Sequence, residues 1–235
     1  MTEKTLPHPS VFVEAKRLER IKGYRVHERR TPERQVRVVT PSQTIGPFFN
    51  IGLIREGDHD LACLTPGALR AEGTPIVVSG RVTDEEGCPV RKALIEVWQA
   101  NCWGKYDHPD DVTDAPLDPN MKGWGRMLSD ADGRYRFRSI KPGGYPNPGY
   151  DNWMRPPHIH YSIFAAGLMQ RLITQLYFPG EPLNDIDPIL NGIEDLDARA
   201  SLIARVEPAE ADGTLAFAFD IVLRGRGETV FFVDS

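Results

Sequence analysis

The sequence predicts a mainly β fold, an antiparallel β-sandwich with long loops and an extended N-terminal arm. Three observations support this prediction. Short apolar segments have the length and composition of strands, and turns rich in glycine and proline separate them. Asp132-Gly133 lies between two such segments and predicts a hairpin. No helical pattern alternates with the strands, so a parallel sheet with crossover helices is not indicated.

Taken in chain order, the predicted strands begin after residue 75. Each is bounded by turn residues and is rich in β-branched, aliphatic or aromatic side chains. In one of them Tyr135 and Phe137 point to one face, and the arginines beside them point to the other. The seven segments are 76–82, 93–99, 125–128, 134–138, 158–164, 172–178 and 215–223.

The remaining sequence predicts one helix and one arm. The segment 193–206 has leucines available for an apolar helical face. Residues 1–40 are polar and contain prolines without a sustained periodicity, which predicts an arm that lies on a body or a partner. We therefore divide the chain into an N-terminal arm over 1–40 and a sandwich domain over 41–235, which would carry any catalytic site.

The composition argues against several classes of function. The net charge is −5, from 28 basic and 33 acidic residues, and gives no indication of nucleic-acid binding. No segment approaches the ~18 apolar residues of a membrane span, and the polar start of the chain does not resemble a secretory signal. The 3 cysteines lack the spacing of a metal site, and their odd number favours reduced thiols in a cytoplasmic protein.

Two histidines one residue apart, His158 and His160, are the first candidate metal ligands. Pro156 and Pro157 exclude a helix that leads into them, and the residues that follow have the composition of a strand. Side chains repeat with period two in a strand, so both imidazoles emerge on one face, as neighbouring ligands of a metal ion would. Two histidines with this spacing and no further candidate ligands are more often structural, so the interpretation of the pair depends on other residues.

Two glycine-containing loops contribute one tyrosine each, Tyr106 and Tyr145. With the two histidines they indicate a mononuclear site with two oxygen and two nitrogen donors. A phenol keeps its proton up to a pKa of ~10 in water, so a phenolate ligand requires a strongly acidic cation such as Fe(III). Zinc and ferrous sites more often use cysteine or carboxylate beside histidine. Asp107 and His108 are spare candidates nearby, for which we expect solvent-facing positions.

Several motifs together carry a resemblance to a known family. They are Glu96-Val97-Trp98-Gln99-Ala100-Asn101, Gly104-Lys105-Tyr106, Pro142-Gly143-Gly144-Tyr145-Pro146, Arg155-Pro156-Pro157-His158-Ile159-His160 and Leu172-Ile173-Thr174-Gln175-Leu176-Tyr177-Phe178. In this order they resemble the intradiol ring-cleaving dioxygenases, with the closest similarity to the β subunits of members that cleave protocatechuate. The resemblance extends from about Tyr24 to the C-terminus.

The resemblance implies a non-haem Fe(III) cofactor held by four residues. Tyr106 and His158 would be equatorial ligands, and Tyr145 and His160 axial ligands. The substrate would be a catecholic small molecule that binds the iron as a dianion and displaces Tyr145, which then acts as a base. With O₂ the ring would open between its two oxygen-bearing carbons, in the degradation of aromatic compounds.

The resemblance also implies roles for three residues outside the metal set. Arg155 matches an active-site arginine that would stabilise negative charge on the reacting substrate. Gln175 and Tyr24 match substrate-binding residues of the pocket. Asn147 departs from the family pattern, which has tryptophan there, so the pocket wall differs.

A partner and two alternatives complete the sequence-based expectations. The resemblance implies a homologous α subunit in an αβ hetero-oligomer, around which the arm would wrap. A catechol or hydroxyquinol intradiol dioxygenase is the first alternative, although such chains carry a longer helical N-terminal region. A non-catalytic, transthyretin-like sandwich that binds a ligand is the second alternative, but it would have no reason to combine the four candidate ligands.

Overall fold

The strands in the described part of the chain form two larger β-sheets and one two-stranded ladder. The computed structural model describes residues 46, 52–147, 153–225 and 227–232, so the predicted arm and Tyr24 lie outside the described residues. The prediction of a mainly β protein is confirmed. The strands are β1 Pro75–Thr83, β2 Leu94–Trp98, β3 Trp124–Leu128, β4 Arg134–Ile140, β5 Tyr145–Pro146, β6 Met154–Arg155, β7 His158–Phe164, β8 Leu172–Tyr177, β9 Arg205–Glu207, β10 Leu215–Ala218 and β11 Ile221–Val222.

The two larger sheets differ in strand direction. One has the order β3-β2-β7-β8 and is antiparallel throughout. In the other, β1 is antiparallel to β4, with Ile76 opposite Ser139, but parallel to β10, with Ile76 opposite Leu215. This sheet is therefore mixed, where the sequence predicted only antiparallel pairing. All four strands of the other sheet lie between β1 and β10 in the chain, so no local turn fixes the relative direction of β1 and β10.

The inner faces of both sheets contribute to one hydrophobic core. Ile159, Tyr161 and Ile163 of β7 are fully buried in it, as the period of two in a strand requires. The Tyr161 ring packs against Phe137 of β4 and against Phe219, with ring centroids 6.1 and 5.1 Å apart. The alternate residues of β7, which include both histidines, consequently lie on the opposite face of the sheet.

Within the described residues, helical structure is confined to short segments between β8 and β9. They are a 3-10 turn over Pro182–Asp185, helix α1 over Pro188–Asn191 and helix α2 over Leu196–Ser201. The prediction of one helix over 193–206 was thus too long. The helix ends because the peptide groups of 202 and 204 hydrogen-bond to both backbone groups of Tyr177, which draws this segment onto the edge of β8. No helix in the described ranges has the length and hydrophobicity needed to cross a bilayer.

The predicted strand over 215–223 is interrupted at Phe219 and Asp220, where the chain passes close to β1. The Phe219 amide donates to the Ser79 carbonyl, and the Arg81 amide donates to the Asp220 carboxylate, at 2.8 and 2.9 Å. Gly80 lies between these two contacts. A Cβ atom at Gly80 would lie 1.8 Å from the Phe219 carbonyl oxygen, so a side chain at this position requires the two segments to separate.

We expect Gly80→Ala to lower the free energy of unfolding by about 3 kcal/mol or more, because the added methyl group meets rigid backbone. Urea unfolding followed by circular dichroism measures this change. Gly227→Ala is the matched control, since a Cβ atom there has no neighbour within 4 Å and no left-handed backbone is required. Equal stability of the two variants would contradict the close approach of β1 and Phe219.

Candidate metal centre

Strand β7 places the two histidines on the face of its sheet that points away from the core. His158 is opposite Tyr177 of β8, and His160 is opposite Gln175 of β8 and Trp98 of β2. The Nε2 atoms of the two imidazoles are 3.2 Å apart. The Trp98 ring stacks on the His160 ring, with centroids 4.9 Å apart and planes within 1° of parallel. The stack and the strand register together fix the direction of the His160 ring.

The loop after β2 carries Tyr106 and is held by two side chains within it. The Asn101 side chain accepts hydrogen bonds from the Trp103 and Lys105 amides at 2.9 and 3.0 Å. The Asp111 carboxylate accepts from the Tyr106 amide at 2.8 Å and from the Lys105 ammonium at 3.1 Å. These bonds leave the Tyr106 backbone little freedom, so its phenol is aimed by the loop itself.

Tyr145 is held by the ladder of β5 and β6, in which it pairs with Arg155. The loop before it packs backbone to backbone on the loop that carries Tyr106. The Gly143 amide donates to the Asn101 carbonyl at 2.9 Å. A Cβ atom at Gly104, which has a φ of +79°, would lie 2.2 Å from the Gly144 carbonyl oxygen. Glycine is therefore required where the two tyrosine loops meet.

The four candidate donor atoms converge in space. Tyr145 Oη lies 3.4 Å from Tyr106 Oη and 3.0 Å from His158 Nε2, which in turn lies 3.2 Å from His160 Nε2. When two donor atoms each bind one metal ion at about 2.1 Å, and the donor–metal–donor angle lies between about 90° and 109°, the donors are about 3.0 to 3.4 Å apart. These separations therefore have the spacing of ligands that share one cation.

Hydrogen bonding and burial prepare the histidines for a metal. His158 Nδ1 is 2.7 Å from the Pro156 carbonyl, to which it donates its proton, and this leaves the Nε2 lone pair free. Burial, the neighbouring His160 and the Arg155 charge lower the pKa of His158 well below its usual value. Burial and the Arg155 charge lower the pKa of His160 to about 3. Both imidazoles are consequently neutral at pH 7, as metal ligands must be.

The phenols fit a highly charged cation. Burial, reinforced by the neighbouring Tyr145, raises the pKa of Tyr106 well above its usual value, and burial raises the pKa of Tyr145. Neither phenol ionises near pH 7 without a cation that replaces its proton. Among the described residues no group of three or more histidine, cysteine, aspartate and glutamate side chains is placed to hold a metal. A metal at this point would draw on the two phenol oxygens beside the two imidazoles, a donor set that suits Fe(III).

Arg155, predicted to be catalytic, is buried beside this centre. Its Nη2 atom donates to Gln175 Oε1 at 2.8 Å and to Tyr177 Oη at 2.9 Å. The Asp187 carboxylate lies 3.4 Å from its Nε atom and 3.3 Å from Nη2. The structure thus brings Gln175 to Arg155. Asp107 and His108 are both exposed, as expected.

Three residues of the site, Trp98, Tyr177 and Asp187, were not singled out from the sequence. Tyr177 is two residues from Gln175 in a strand, so the period of two placed it on the same face. Trp98 belongs to the strand before Tyr106, and its stacking depends on strand pairing that the sequence does not give. Asp187 before Pro188 has the pattern of a helix N-cap, but no local signal points to Arg155.

A hollow of about 280 Å³ adjoins the two phenols and offers room for a small ligand. It is bounded in part by Trp98, Tyr106, Tyr145 and Pro146. Its volume is near the lower end, ~300 Å³, of the range for small-molecule sites. Asn147, which departs from the expected tryptophan, directly follows Pro146 and is half-buried.

Asp111 predicts a pH dependence of stability. Burial acts to raise the pKa of this carboxyl, but hydrogen bonds from Thr113, the Tyr106 amide and Lys105 outweigh it and hold the pKa at about 2. Because this value lies below the ordinary 3.8, the carboxylate stabilises the fold above about pH 4, and its contribution is lost as the pH falls through 2. We expect Asp111→Asn to be less stable than wild type at pH 5, by a margin that shrinks towards pH 2.

Urea unfolding of the metal-free chain at several pH values measures this margin. Asp110→Asn is the matched control, because the Asp110 side chain is 92% exposed and pairs only with His108 among the described residues. It should change stability little at any pH. A margin for Asp111→Asn that stays constant from pH 5 to pH 2 would contradict the assigned hydrogen bonds.

Comparison with known proteins bears on this geometry. Residues 45–225 match the family model described as Dioxygenase. The chain is 51% identical to a protocatechuate 3,4-dioxygenase beta chain from Burkholderia cepacia, over 73% of this chain and 74% of the relative. It is 37% identical to a protocatechuate 3,4-dioxygenase alpha chain from Pseudomonas putida, over 82% and 95% of the two chains.

A solved structure has a related fold. It is a hydroxyquinol 1,2-dioxygenase from Pseudomonas putida DLL-E4, with 28% identity and a TM-score of 0.54. The match covers 80% of this chain and 68% of that chain. The architecture described above is consequently one that known dioxygenases share.

Proposed function

Since the chain belongs to the intradiol dioxygenase family, and is therefore an oxidoreductase, we propose that it cleaves protocatechuate with O₂ at a non-haem Fe(III) site. The product would be 3-carboxy-cis,cis-muconate. The observation that carries the proposal is the convergence of two phenol oxygens and two imidazole nitrogens, with successive separations of 3.4, 3.0 and 3.2 Å.

Tyr106, Tyr145, His158 and His160 would hold the iron. Bound Fe(III) supplies the acidity that deprotonates phenols and catechols, and it withdraws electron density from a catecholate, which makes the ring reactive towards O₂. Two phenolates offset two of its three charges, which lowers the cost of burying it. The neutral imidazoles contribute lone pairs without adding charge.

The surrounding side chains prepare the substrate. Tyr145 Oη would serve as a base that takes up one of the two hydroxyl protons of the substrate. Trp98 and Pro146 give the hollow an apolar wall against which an aromatic ring can lie. The buried Arg155 guanidinium presents a fixed positive charge, which stabilises negative charge that develops on the ring as it reacts.

Two comparisons favour protocatechuate over the alternative substrates. The 51% identity to the protocatechuate dioxygenase beta chain exceeds the 34% and 36% identities to two hydroxyquinol 1,2-dioxygenases. This chain also covers 95% of the alpha chain but only 68% of the hydroxyquinol enzyme. Similarity to both alpha and beta chains supports a homologous α subunit as partner, and the β-like role goes to this chain because it carries four candidate ligands. Tyr24, expected to contact the substrate, remains a sequence-based proposal.

The proposal is tested with the chain co-produced with a homologous α chain and loaded with iron. We expect a reddish protein that consumes one O₂ per protocatechuate and forms 3-carboxy-cis,cis-muconate. Catechol and hydroxyquinol are the control substrates. Faster turnover of either of them would replace the substrate assignment by the alternative. A protein that binds a catechol but no iron, and turns over none of the three, would favour the non-catalytic sandwich.

A further inference from the structure

A buried ion pair with Asp187 holds the proposed catalytic arginine. The Arg155 side chain is 5% exposed and the Asp187 side chain is fully buried. Asp187 Oδ2 lies 3.4 Å from Nε and 3.3 Å from Nη2 of the guanidinium. An arginine offers five N–H donors in a rigid plane, so contacts to two of its nitrogens fix the orientation of the whole group.

Asp187 is itself held in place by the N-terminus of helix α1. Its other oxygen, Oδ1, accepts a hydrogen bond from the Ile189 amide at 3.0 Å and caps the N-terminus of α1. Pro188 follows at the first helical position, where its fixed φ angle suits the turn. The carboxylate therefore has one oxygen bound to a short helix and the other turned to Arg155. Rotation of the carboxylate would break both contacts at once.

The two remaining contacts of the guanidinium come from the strand opposite the histidines. Gln175 Oε1 accepts from Arg155 Nη2 and from Tyr177 Oη, at 2.8 and 2.9 Å. Tyr177 Oη in turn accepts from Nη2 at 2.9 Å. The described residues thus take up Nε and Nη2, and none of their hydrogen bonds to the guanidinium uses Nη1. As far as the described residues are concerned, the Nη1 donors are therefore available to another acceptor.

We propose that Asp187 is a positioning residue, which orients the Arg155 guanidinium so that Nη1 is directed at the reacting substrate. This inference rests on the proposed function and deepens it. Asp187 would touch neither substrate nor iron. Its effect on the reaction would pass entirely through Arg155. Gln175 and Tyr177 also bind the Arg155 guanidinium, but neither carries a charge that could balance its buried positive charge. The Asp187 carboxylate is needed for that reason.

The test compares Asp187→Asn with wild type in the iron-loaded complex with the α chain. Asparagine keeps an acceptor for the Ile189 amide and is a good N-cap, so α1 is retained. We expect kcat for protocatechuate to fall on the order of 10-fold to 100-fold, the range for partners that orient active groups, while KM changes little. The iron content and the visible absorption of the ferric protein should stay as in wild type. Asp195→Asn, which alters the exposed N-cap of α2, is the matched control and should leave kcat unchanged.

A double-mutant cycle separates positioning from mere support of the fold. In an Arg155→Gln background, Asp187→Asn should change kcat by less than about 2-fold, because the group through which it acts is gone. Losses of kcat that multiply in the double variant would overturn the inference. If Asp187→Asn does not fold, Asp187→Glu serves in its place, since it keeps the buried charge and shifts it by one methylene.

A readout independent of turnover uses the metal-free full chain. In wild type, the Nε–H nuclear magnetic resonance signal of Arg155 should be protected from exchange with water, and in Asp187→Asn it should exchange rapidly. An equally protected signal in the variant would overturn the positioning role whether or not the chain cleaves protocatechuate. Conversely, a wild-type chain that turns over no catechol yet shows the expected exchange difference would refute the proposed function and keep the Asp187–Arg155 geometry.

Discussion

Tyr106→Phe is expected to lower turnover of protocatechuate by more than about 100-fold, since replacing a ligand should exceed the 10-fold to 100-fold cost of losing an outer partner of a metal site. In the proposed site the substitution removes one of the two phenolate charges that would offset Fe(III), so iron affinity should fall as well. The visible absorption that tyrosinate gives to ferric iron should weaken. Iron content, the visible spectrum and steady-state rates measure these three effects.

The fold should survive this substitution. The Tyr106 hydroxyl has one weak contact among the described residues, at 3.4 Å to Tyr145 Oη, so its loss costs at most about 1 kcal/mol. Tyr135→Phe is the matched control. Its hydroxyl donates to the Phe219 carbonyl in the core, so the control should reduce stability and leave the spectrum intact. Unchanged iron content and rate in Tyr106→Phe would remove this residue from the ligand set.

Gly104→Ala is expected to damage the metal site from outside it. The backbone there has a φ of +79°, and a Cβ atom would lie 2.2 Å from the Gly144 carbonyl oxygen. Strain and overpacking together should cost about 3 kcal/mol. Relief of the contact moves the two tyrosine loops apart. Because a displacement of about 1 Å in an active site can cost 100-fold in rate, we expect kcat to fall by about that factor.

Gly87→Ala is the control that distinguishes the effect of backbone strain from the effect of moving the two tyrosine loops apart. Gly87 has a φ of +77°, but a Cβ atom there would have no neighbour within 4 Å. This control should lose about 1 kcal/mol of stability and keep its activity and its visible spectrum. Thermal unfolding and steady-state kinetics of the two variants give the comparison. If both variants lose activity equally, the packing of the two loops does not position the phenols.

The local parts of the site could be predicted from the sequence. The shared face of His158 and His160 follows from two prolines and a period of two, and both are found in β7. The exposure of Asp107 and His108 was also expected. These features depend on a few neighbouring residues, and local backbone preference determines them.

The non-local parts could not be derived from spacing. Nothing between Tyr106 and Tyr145 indicates that their hydroxyls meet, because the meeting depends on contact between the Gly104 and Gly144 backbones. Their grouping rested on residue type and on resemblance to a family, and no local signal supported it. The parallel alignment of β1 with β10 and the contact of Asp187 with Arg155 were missed for the same reason, since each pairs segments that are far apart along the chain.

The ladder of β5 and β6 has a consequence for how Tyr145 could leave a metal ion. Its backbone pairs with Arg155, and the next residues are tied by the bond from the Asn147 amide to the Trp153 carbonyl at 3.0 Å. On the other side, Gly143 and Gly144 are pressed against the neighbouring loop. With the backbone held on both sides, movement of the Tyr145 phenol would be a rotation about its own χ1 and χ2 torsions and would require no displacement of the loop.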